Sequence, residues 1–424
     1  MGAGITGLAT AWFLRDHADV VVYEAGDRVG GKIGTSSLAG VPVELGPDTF
    51  LARVPSAVDL CRALGLGADL VAPATSKAYV WTRGALRPLA EGTVLGVPYR
   101  LLPLARSGVV SPWGVARAAL DLALPKSPVD GAVDRSVREV VGRRFGPEVV
   151  GRLVEPLLGG IHAGRADRLS LASVAPPVAA AATGGRRSLL LGLRKHRPKG
   201  DGPVFLGLRG GLQRLVDRLA QEVDVRFGVT VKALADLDAD HIVLTVPAFA
   251  AAGLVSGDAA VELGAIDYAS VVTVSLAYEP SALPGPGPLD GSGFLVPRID
   301  GRLITACTWT SAKWGLAGDR VLLRASAGRI GDDRAMGLSD ERLVTHIHAE
   351  LAEAMGLREA PTESLVTRWP RSFPQYDVGH EARVGRIEAL LAPNVQVAGA
   401  AYRGVGIAAC VRQAERAAER IMRA

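Results

Sequence analysis

The sequence predicts an α/β protein in which elements from both ends of the chain build one parallel-sheet domain. An α+β domain and an inserted helical block lie between them. Three patterns support this fold class: a turn–helix–strand–turn pattern in residues 2–31, helical texture in residues 104–200, and a strand–turn–helix pattern in residues 395–422. The 424 residues, 48% of them hydrophobic, suit two or three folded domains and exclude a disordered chain.

The opening pattern is typical of a dinucleotide-binding, Rossmann-like turn. Three glycines spaced G-x-G-x-x-G run into an apolar helical pattern, and a Val-rich strand follows and ends in an acid 20 residues after Gly4. Such glycines permit a tight turn, approach of a pyrophosphate and close helix–strand packing, while the acid binds a ribose hydroxyl. The residues assigned to this contact are Gly2, Gly4, Ile5, Thr6, Gly7 and Glu24.

A second motif, Arg28-x-Gly30-Gly31, follows the acid closely. It places a cation and two close-approach glycines beside the expected pyrophosphate. A nicotinamide cofactor has no comparable need for this second glycine pair, so the motif points to FAD in an extended pose. A strand should precede Gly2, but Met1 takes its last position. We therefore expect that the given chain is truncated and that the rest of this strand lies upstream. The FAD affinity of the given chain is then expected to be low.

A third glycine cluster lies near the C-terminus. A buried strand ends at Gly399, and a glycine turn opens a helix at Ile407, so its N–H groups could face the flavin or the pyrophosphate. Backbone groups of Val231 are predicted to contact adenine. The remaining residues assigned to FAD are Lys32, Gly46, Pro47, Asp48, Val231, Gly399, Gly404, Val405, Gly406 and Ile407. The FAD-binding domain is therefore discontinuous, with parts 1–75, 201–255 and 386–424.

The segments between these parts have their own patterns of predicted helices and strands. Residues 76–103 are predicted to begin a substrate domain, residues 104–200 to form a helical insertion, and residues 256–385 to complete the substrate domain. Strands at 271–279, 293–298, 303–309 and 321–326 predict an antiparallel sheet, followed by a helix around 339–355. Earlier helices are predicted at Ser56–Leu64, Gly114–Leu124, Ser136–Phe145 and Glu148–Leu158.

Composition and side-chain patterns exclude several classes of function. The net charge of +5 is scattered, without a basic block for nucleic acid. Three distant cysteines form neither a disulfide framework nor a zinc site and favour a reducing cytoplasm. His346 and His348 do not share a helix face, and no catalytic triad or paired-carboxylate pattern occurs, so we predict no metal and assign no catalytic side chain. The chemistry is expected to be that of FAD.

Together the motifs resemble those of the FAD-dependent protoporphyrinogen and coproporphyrinogen oxidases, within the amine-oxidase-like flavoprotein superfamily. The resemblance covers nearly the whole chain, and two stretches distinguish this group from other flavin oxidases. These stretches are Gly160-Ile-His-Ala-Gly164 and Pro374-Gln-Tyr-Asp-Val-Gly-His380. One departure is Arg165, at a position where an acid is more usual.

The resemblance implies a six-electron oxidation of coproporphyrinogen III to coproporphyrin III by dioxygen, with release of hydrogen peroxide, in haem biosynthesis. It places Lys77 as an anchor for a substrate propionate, although a lysine at a strand end is also commonly just solvated. Gly160, Ile161 and His162 would line the macrocycle slot. The helical insertion resembles the family's membrane-facing domain, for which we expect peripheral contact at most, and a ferrochelatase is a candidate partner.

Three alternatives remain open at this point. The substrate could be protoporphyrinogen IX, which carries two propionates rather than four, and one cation more or fewer in the pocket would discriminate. The chain could instead be a flavin amine oxidase, which would need an aromatic pair facing the flavin, and Tyr402 alone is not such a pair. It could also be a flavin-binding protein without catalytic activity.

Overall fold

The structure is a computed structural model that describes residues 1–125, 133–196, 202–285, 289–316 and 320–424. The chain forms two compact units. Unit 1 comprises residues 1–72, 202–267 and 381–424, and unit 2 comprises residues 73–201 and 268–380. The predicted domain boundary at residues 200 and 201 lies outside the described residues. The functional assignment of the predicted domains stays a prediction.

The helices and strands of the described residues are numbered in chain order. The α-helices are α1 (Ile5–Leu14), α2 (Pro55–Ala63), α3 (Leu101–Ser107), α4 (Pro112–Ala119), α5 (Val137–Phe145), α6 (Pro147–Val149), α7 (Glu155–His162), α8 (Leu171–Val174), α9 (Pro176–Thr183), α10 (Leu189–His196), α11 (Gln213–Ala220), α12 (Ala248–Ala252), α13 (Gly257–Gly264), α14 (Thr310–Trp314), α15 (Asp340–Met355), α16 (His380–Leu390) and α17 (Ile407–Arg423). The strands are β1 (Val21–Tyr23), β2 (Thr35–Leu38), β3 (Val41–Glu44), β4 (Phe50–Leu51), β5 (Leu70–Val71), β6 (Tyr79–Thr82), β7 (Ala85–Pro88), β8 (Thr93–Val94), β9 (Val97–Pro98), β10 (Phe205–Leu208), β11 (Asp224–Arg226), β12 (Ile242–Leu244), β13 (Tyr268–Tyr278), β14 (Gly293–Leu295), β15 (Ile304–Trp309), β16 (Val321–Ala327), β17 (Glu363–Pro374) and β18 (Val395–Val397).

Unit 1 contains two parallel strand pairs, β1 with β11 and β12 with β18. The first two residues hydrogen-bond to both pairs: Gly2 N donates to Tyr23 O of β1 at 2.7 Å, and the Met1 amino group donates to Val243 O of β12 at 2.8 Å. Helix α1 packs against both α17 and α11. Apolar residues recur on the inner face of α17 at Ile407, Val411, Ala414 and Ala418, and this spacing of three to four residues buries one side of the helix.

Unit 2 is built around a seven-stranded sheet of order β17-β13-β16-β15-β14-β6-β7. Strand β13 is antiparallel to both of its neighbours, and its inward side chains join the core of the unit. Helix α15 contributes Leu343, Ile347 and Leu351, spaced four residues apart, to the same core. The predicted antiparallel sheet and the helix near 339–355 are therefore confirmed.

Several predicted elements differ from those observed. Of the strand predicted over Val223–Val231, only β11 (Asp224–Arg226) is observed. Residues 227–233 do not continue the pairing with β1. The helix predicted over Glu148–Leu158 is interrupted by a π-helical turn at Val150–Val154. Pro156 lacks an N–H group, so a regular α-helical hydrogen bond is impossible at that point.

The helical part of unit 2 is fastened by a buried ion pair. The Arg144 side chain pairs with Asp121, and the Asp121 carboxylate also accepts from Ser188 Oγ at 2.6 Å and Leu190 N at 2.9 Å. Such a pair is tolerated in the interior because hydrogen bonds satisfy both partners. No helix in the described ranges is long and apolar enough to cross a membrane.

Candidate functional site

The first glycine turn leads directly into α1, and its glycines serve different spatial requirements. A Cβ atom on Gly7 would lie 2.0 Å from the Gly2 carbonyl oxygen, so the close approach requires glycine. A Cβ atom on Gly4 would meet no heavy atom within 4 Å, so Gly4 borders open space. Gly4 is also the N-cap of α1 and offers no capping side chain. The first N–H groups of α1, which begin at Ile5 and Thr6, are therefore available to an anion.

Glu24 joins the end of β1 to this turn. Its Oε2 atom accepts from Ala3 N at 2.7 Å, and its Oε1 atom accepts from Gly26 N at 2.9 Å. A carboxylate offers about four lone-pair sites, so two remain for further donors. The acid is therefore fixed in place yet able to accept hydrogen bonds from a ribose diol.

The second glycine motif packs onto the first. Gly30 N donates to Ala3 O at 2.8 Å. The Arg28 guanidinium donates to the carbonyls of its own turn, at 2.6 Å to Gly31 O and 3.1 Å to Ile33 O. The sequence predicts Arg28 as a cation beside the pyrophosphate. In the structure it braces the backbone of the turn, so any phosphate contact would come in addition to this role.

Lys32 follows the second turn and is half-buried. Burial lowers the pKa of its ammonium group to about 8, and the nearby Cys410 on α17 opposes this shift. Burial disfavours the charged form of an amine, whereas a neighbouring anion favours it. A phosphate bound beside Lys32 would therefore stabilise its charged form and raise its pKa, which fits the predicted FAD contact.

The C-terminal glycine turn is braced by a side chain that the sequence reasoning missed. Gln413, buried in α17, accepts through Oε1 from Gly399 N and Arg403 N, each at 3.3 Å. Its Nε2 atom donates to Gly404 O at 3.4 Å and to Ala409 O at 3.2 Å. Gly404 has a φ of +120°, which disfavours any other residue. The amide of Gln413 thus holds both ends of the turn, and only its place on the inner face of α17 hints at this role in the sequence.

Helix α17 begins as α1 does, without a capping side chain. Its N-cap is Gly406, and a Cβ atom there would meet no heavy atom within 4 Å. A Cβ atom on Gly399 would lie 3.6 Å from Thr6 Oγ1, so the two glycine turns are neighbours. Val405 and Ile407 flank Gly406 in the chain. Unit 1 thus brings the Gly2–Gly7, Glu24–Lys32 and Gly399–Ile407 segments together.

Two further predicted FAD contacts lie in irregular backbone of unit 1. Residues Gly46, Pro47 and Asp48 are half-buried in the link between β3 and β4. Val231 is half-buried and lies five residues beyond the end of β11. Their contact with FAD stays a prediction.

Lys77 lies in unit 2, just before β6, with an exposed side chain. Its Nζ atom is 3.4 Å from Asp290 Oδ2, and Asp290 also accepts from Tyr79 OH at 2.7 Å. The Lys77 carbonyl accepts from Ser292 N and Ser292 Oγ, each at 2.8 Å, which fixes its backbone. The loose ion pair leaves the ammonium group free to exchange partners, because exposed pairs contribute little.

The turn that ends α7 divides into an exposed and a buried part. Gly160 and Ile161 are exposed, whereas the His162 ring is buried, with its Nδ1 atom lacking a hydrogen-bond partner within the described ranges. The ring lies 5.7 Å from the ring of Tyr376, which in turn stacks on His380 at 3.9 Å. Burial, with a smaller effect of His380, lowers the pKa of His162 to about 4. His162 therefore supports the turn from inside as a neutral ring.

Comparison with known proteins identifies relatives of the whole chain. The sequence model of the family described as flavin containing amine oxidoreductase matches residues 5–422. The chain is 37% identical to a coproporphyrinogen III oxidase of Bacillus subtilis, over 98% of this chain and 96% of that protein. It is 32% identical to a coproporphyrinogen III oxidase of Staphylococcus aureus, over 100% of this chain and 98% of that protein. A crystal structure from Exiguobacterium sp. 255-15, described as a candidate protoporphyrinogen oxidase, matches with a TM-score of 0.89 at 32% identity and covers 99% and 97% of the two chains.

Proposed function

The chain belongs to the flavin containing amine oxidoreductase family and uses FAD, and we propose that it oxidises coproporphyrinogen III to coproporphyrin III in haem biosynthesis. The observation that carries this proposal is its similarity to two coproporphyrinogen III oxidases, both matched over nearly their full length. Bound FAD supplies the hydride acceptor, and dioxygen is the final oxidant and leaves as hydrogen peroxide.

The donor set of unit 1 fits FAD. Two uncapped helix N-termini, at Gly4 and Gly406, suit the negative charge of a pyrophosphate. Glu24 keeps lone pairs for ribose hydroxyls, and Lys32 gains stability as a cation when an anion lies beside it. We propose that these groups hold the cofactor, with the Arg28 and Gln413 side chains keeping the two later turns in shape.

In unit 2 we propose that Lys77 binds a propionate and that Gly160 and Ile161 contact the macrocycle. An exposed ammonium group with one loose partner can exchange Asp290 for a substrate carboxylate. Gly160 offers an open surface, because a Cβ atom there would meet only Leu295 Cδ2, at 3.5 Å. The buried His162 ring takes no part as a base near neutral pH, since its conjugate acid is disfavoured by burial.

The proposal is tested by turnover of the FAD-loaded protein with coproporphyrinogen III, first without and then with dioxygen. We expect flavin bleaching in the first stage, followed by porphyrin fluorescence and hydrogen peroxide in the second. Flavin that stays oxidised in the presence of the porphyrinogen would contradict the proposal and favour a flavin-binding protein without this activity.

Protoporphyrinogen IX is the second candidate substrate. The match to the Exiguobacterium structure favours it, since that protein is described as a candidate protoporphyrinogen oxidase. Its two propionates need fewer cationic contacts than the four of coproporphyrinogen III. A comparison of kcat/KM for the two porphyrinogens decides between them, and we expect the larger value for coproporphyrinogen III.

We further propose a cytoplasmic protein that makes peripheral contact with a membrane and passes its product to a ferrochelatase. Apolar side chains on the helical part of unit 2 support the membrane contact, above all Trp113, which is 85% exposed, and Leu102, which is 57% exposed. Flotation with liposomes should show binding that the double variant Leu102→Ser, Trp113→Ser loses. A pull-down with the ferrochelatase of the same organism tests the protein partner.

A further inference from the structure

A small cavity lined by both charged and apolar residues lies beside α7 in unit 2. Its lining includes Glu155 and Gly159 of α7, Arg298 after β14, and Arg329 after β16. The cavity has a volume of about 10 Å³, which is room for about one oxygen atom. Gly159 directly precedes the turn that we propose faces the macrocycle, so the cavity adjoins the proposed substrate surface.

The two arginines have more donors than the protein satisfies. Arg298 donates through Nη2 to Ile330 O at 3.1 Å, and its Nε atom is buried without a hydrogen-bond partner in the described part of the chain. Arg329 is 93% buried at its side chain, and its Nε atom likewise has no hydrogen-bond partner within those ranges. A guanidinium has five N–H donors, and unpaired buried donors are unfavourable.

The carboxylates around the cavity pair only loosely with Arg298 and Arg329. Glu155 Oε1 is 3.9 Å from Arg298 Nε, which is an ion pair beyond hydrogen-bond distance. Asp332 lies 3.7 Å from Arg329 but is held more tightly by Arg334, at 2.8 Å. Glu155 therefore faces two guanidinium groups. Burial lowers the pKa of both Arg298 and Arg329, neighbouring arginines add to this shift, and Glu155 and Asp332 oppose it.

We propose that this cavity is a carboxylate-binding subsite, in which Arg298 binds a propionate of the porphyrinogen and one carboxylate oxygen enters the space between Arg298 and Arg329. Arg298 suits this role because its side chain is 25% exposed and so reaches from the cavity to solvent. The inference rests on the proposed function and deepens it. With Lys77, Arg298 would give the pocket two cations for the carboxylates of the substrate.

The test measures the Kd of the FAD-loaded protein for coproporphyrin III by fluorescence, and KM and kcat for both porphyrinogens. Arg298→Met should raise the Kd and the KM for the copro form about 10- to 100-fold, with kcat changed less than threefold. Arg298→Lys should recover part of the affinity. The matched control is Arg320→Met, because Arg320 pairs with Glu279 elsewhere in unit 2.

Glu155→Gln should change the Kd for coproporphyrin III in the opposite direction from Arg298→Met. Removing the carboxylate that competes for Arg298 should lower the Kd for coproporphyrin III about two- to fivefold. If Glu155→Gln weakens binding as Arg298→Met does, the cluster merely supports α7 and the proposal is overturned. This variant and Arg298→Lys keep the test decisive if Arg298→Met does not fold.

Competition with free anions tests whether a carboxylate of the substrate binds at Arg298. Acetate and chloride should raise the KM of the wild type competitively and have little such effect on Arg298→Met. Equal inhibition of both proteins, or an unchanged Kd in Arg298→Met, would refute the subsite. Absence of turnover with either porphyrinogen in the wild type would refute the proposed function instead, while the Kd still reports on the subsite.

Discussion

Replacing Gln413 with leucine tests how far the C-terminal glycine turn depends on one buried amide. Leucine has a similar volume but cannot hydrogen-bond, so it leaves the N–H groups of Gly399 and Arg403 without their acceptor. The Gly399 N–H is buried, and an unpaired buried donor costs about 1–3 kcal/mol. Both bonds are long, at 3.3 Å, so we expect the lower part of that range, about 1–2 kcal/mol.

If FAD binding requires the ordered turn, this loss corresponds to an FAD Kd that is about 5- to 30-fold higher. The assay is titration of the apoprotein with FAD, followed by quenching of flavin fluorescence. Glu415→Leu is the control, because Glu415 is exposed on the same helix. An FAD Kd for Gln413→Leu within twofold of the wild-type value would show that the turn keeps its shape without the amide.

Two further predictions concern unit 2. Lys77→Ala should raise the KM for coproporphyrinogen III about tenfold through loss of a charge-assisted contact, with little change in kcat, and an unchanged KM would exclude the anchor. His162 should make stability depend on pH, because its pKa of about 4 lies below the ordinary 6.5, and the unfolded chain therefore binds a proton that the folded protein does not. Stability should fall by about 1.4 kcal/mol per unit as the pH drops from 6.5 toward 4, and urea titrations should show a shallower fall for His162→Phe.

The parts of the site that were predictable are those where glycine spacing fixes the backbone. Gly7 must be a glycine because of a local contact with Gly2, so the sequence spacing alone carries the information. Gln413 was missed because its partners lie 4 to 14 residues away, and only the folding of α17 back onto the turn brings them together. The same holds for Arg298 and Glu155, which are 143 residues apart.

The predicted bounds of helices and strands were wrong where a local backbone constraint interrupts a regular pattern. The apolar spacing across Glu148–Leu158 fits one α-helix, although Pro156 would lie in the interior of that helix, where proline removes a hydrogen bond; in the structure it lies in the first turn of α7, where proline is tolerated. The structure starts a new α-helix at Glu155 after a π-helical turn, and the Glu155 Oε1 atom lies 3.9 Å from Arg298 Nε. Periodicity cannot show such a π-helical turn, since it assumes a constant number of residues per turn.

Two sets of helix N-termini contrast within the described residues, and the contrast supports the proposal that one set binds a ligand. Helices α4, α5, α8 and α15 have serine N-caps whose side chains accept a backbone N–H, whereas α1 and α17 have glycine N-caps with open space beside them. A serine cap would satisfy one of the N–H groups that an anion needs. We therefore propose that the glycine caps leave these groups to the cofactor.

Gly406→Ser separates the stability of α17 from the binding of FAD at its N-terminus. The backbone of Gly406, with φ −80° and ψ 158°, suits a serine N-cap, and its Cβ atom would be unobstructed. The variant should stabilise the apoprotein by a few tenths of a kcal/mol, up to about 1 kcal/mol, and at the same time weaken FAD binding, because the new hydroxyl occupies both an N–H group and the space beside it. Ser339→Gly, which removes the cap of α15, should lower stability and leave FAD affinity unchanged. Thermal unfolding of the apoproteins and FAD titration measure the two effects, and a Gly406→Ser protein that binds FAD as tightly as the wild type would remove the N-terminus of α17 from the cofactor site.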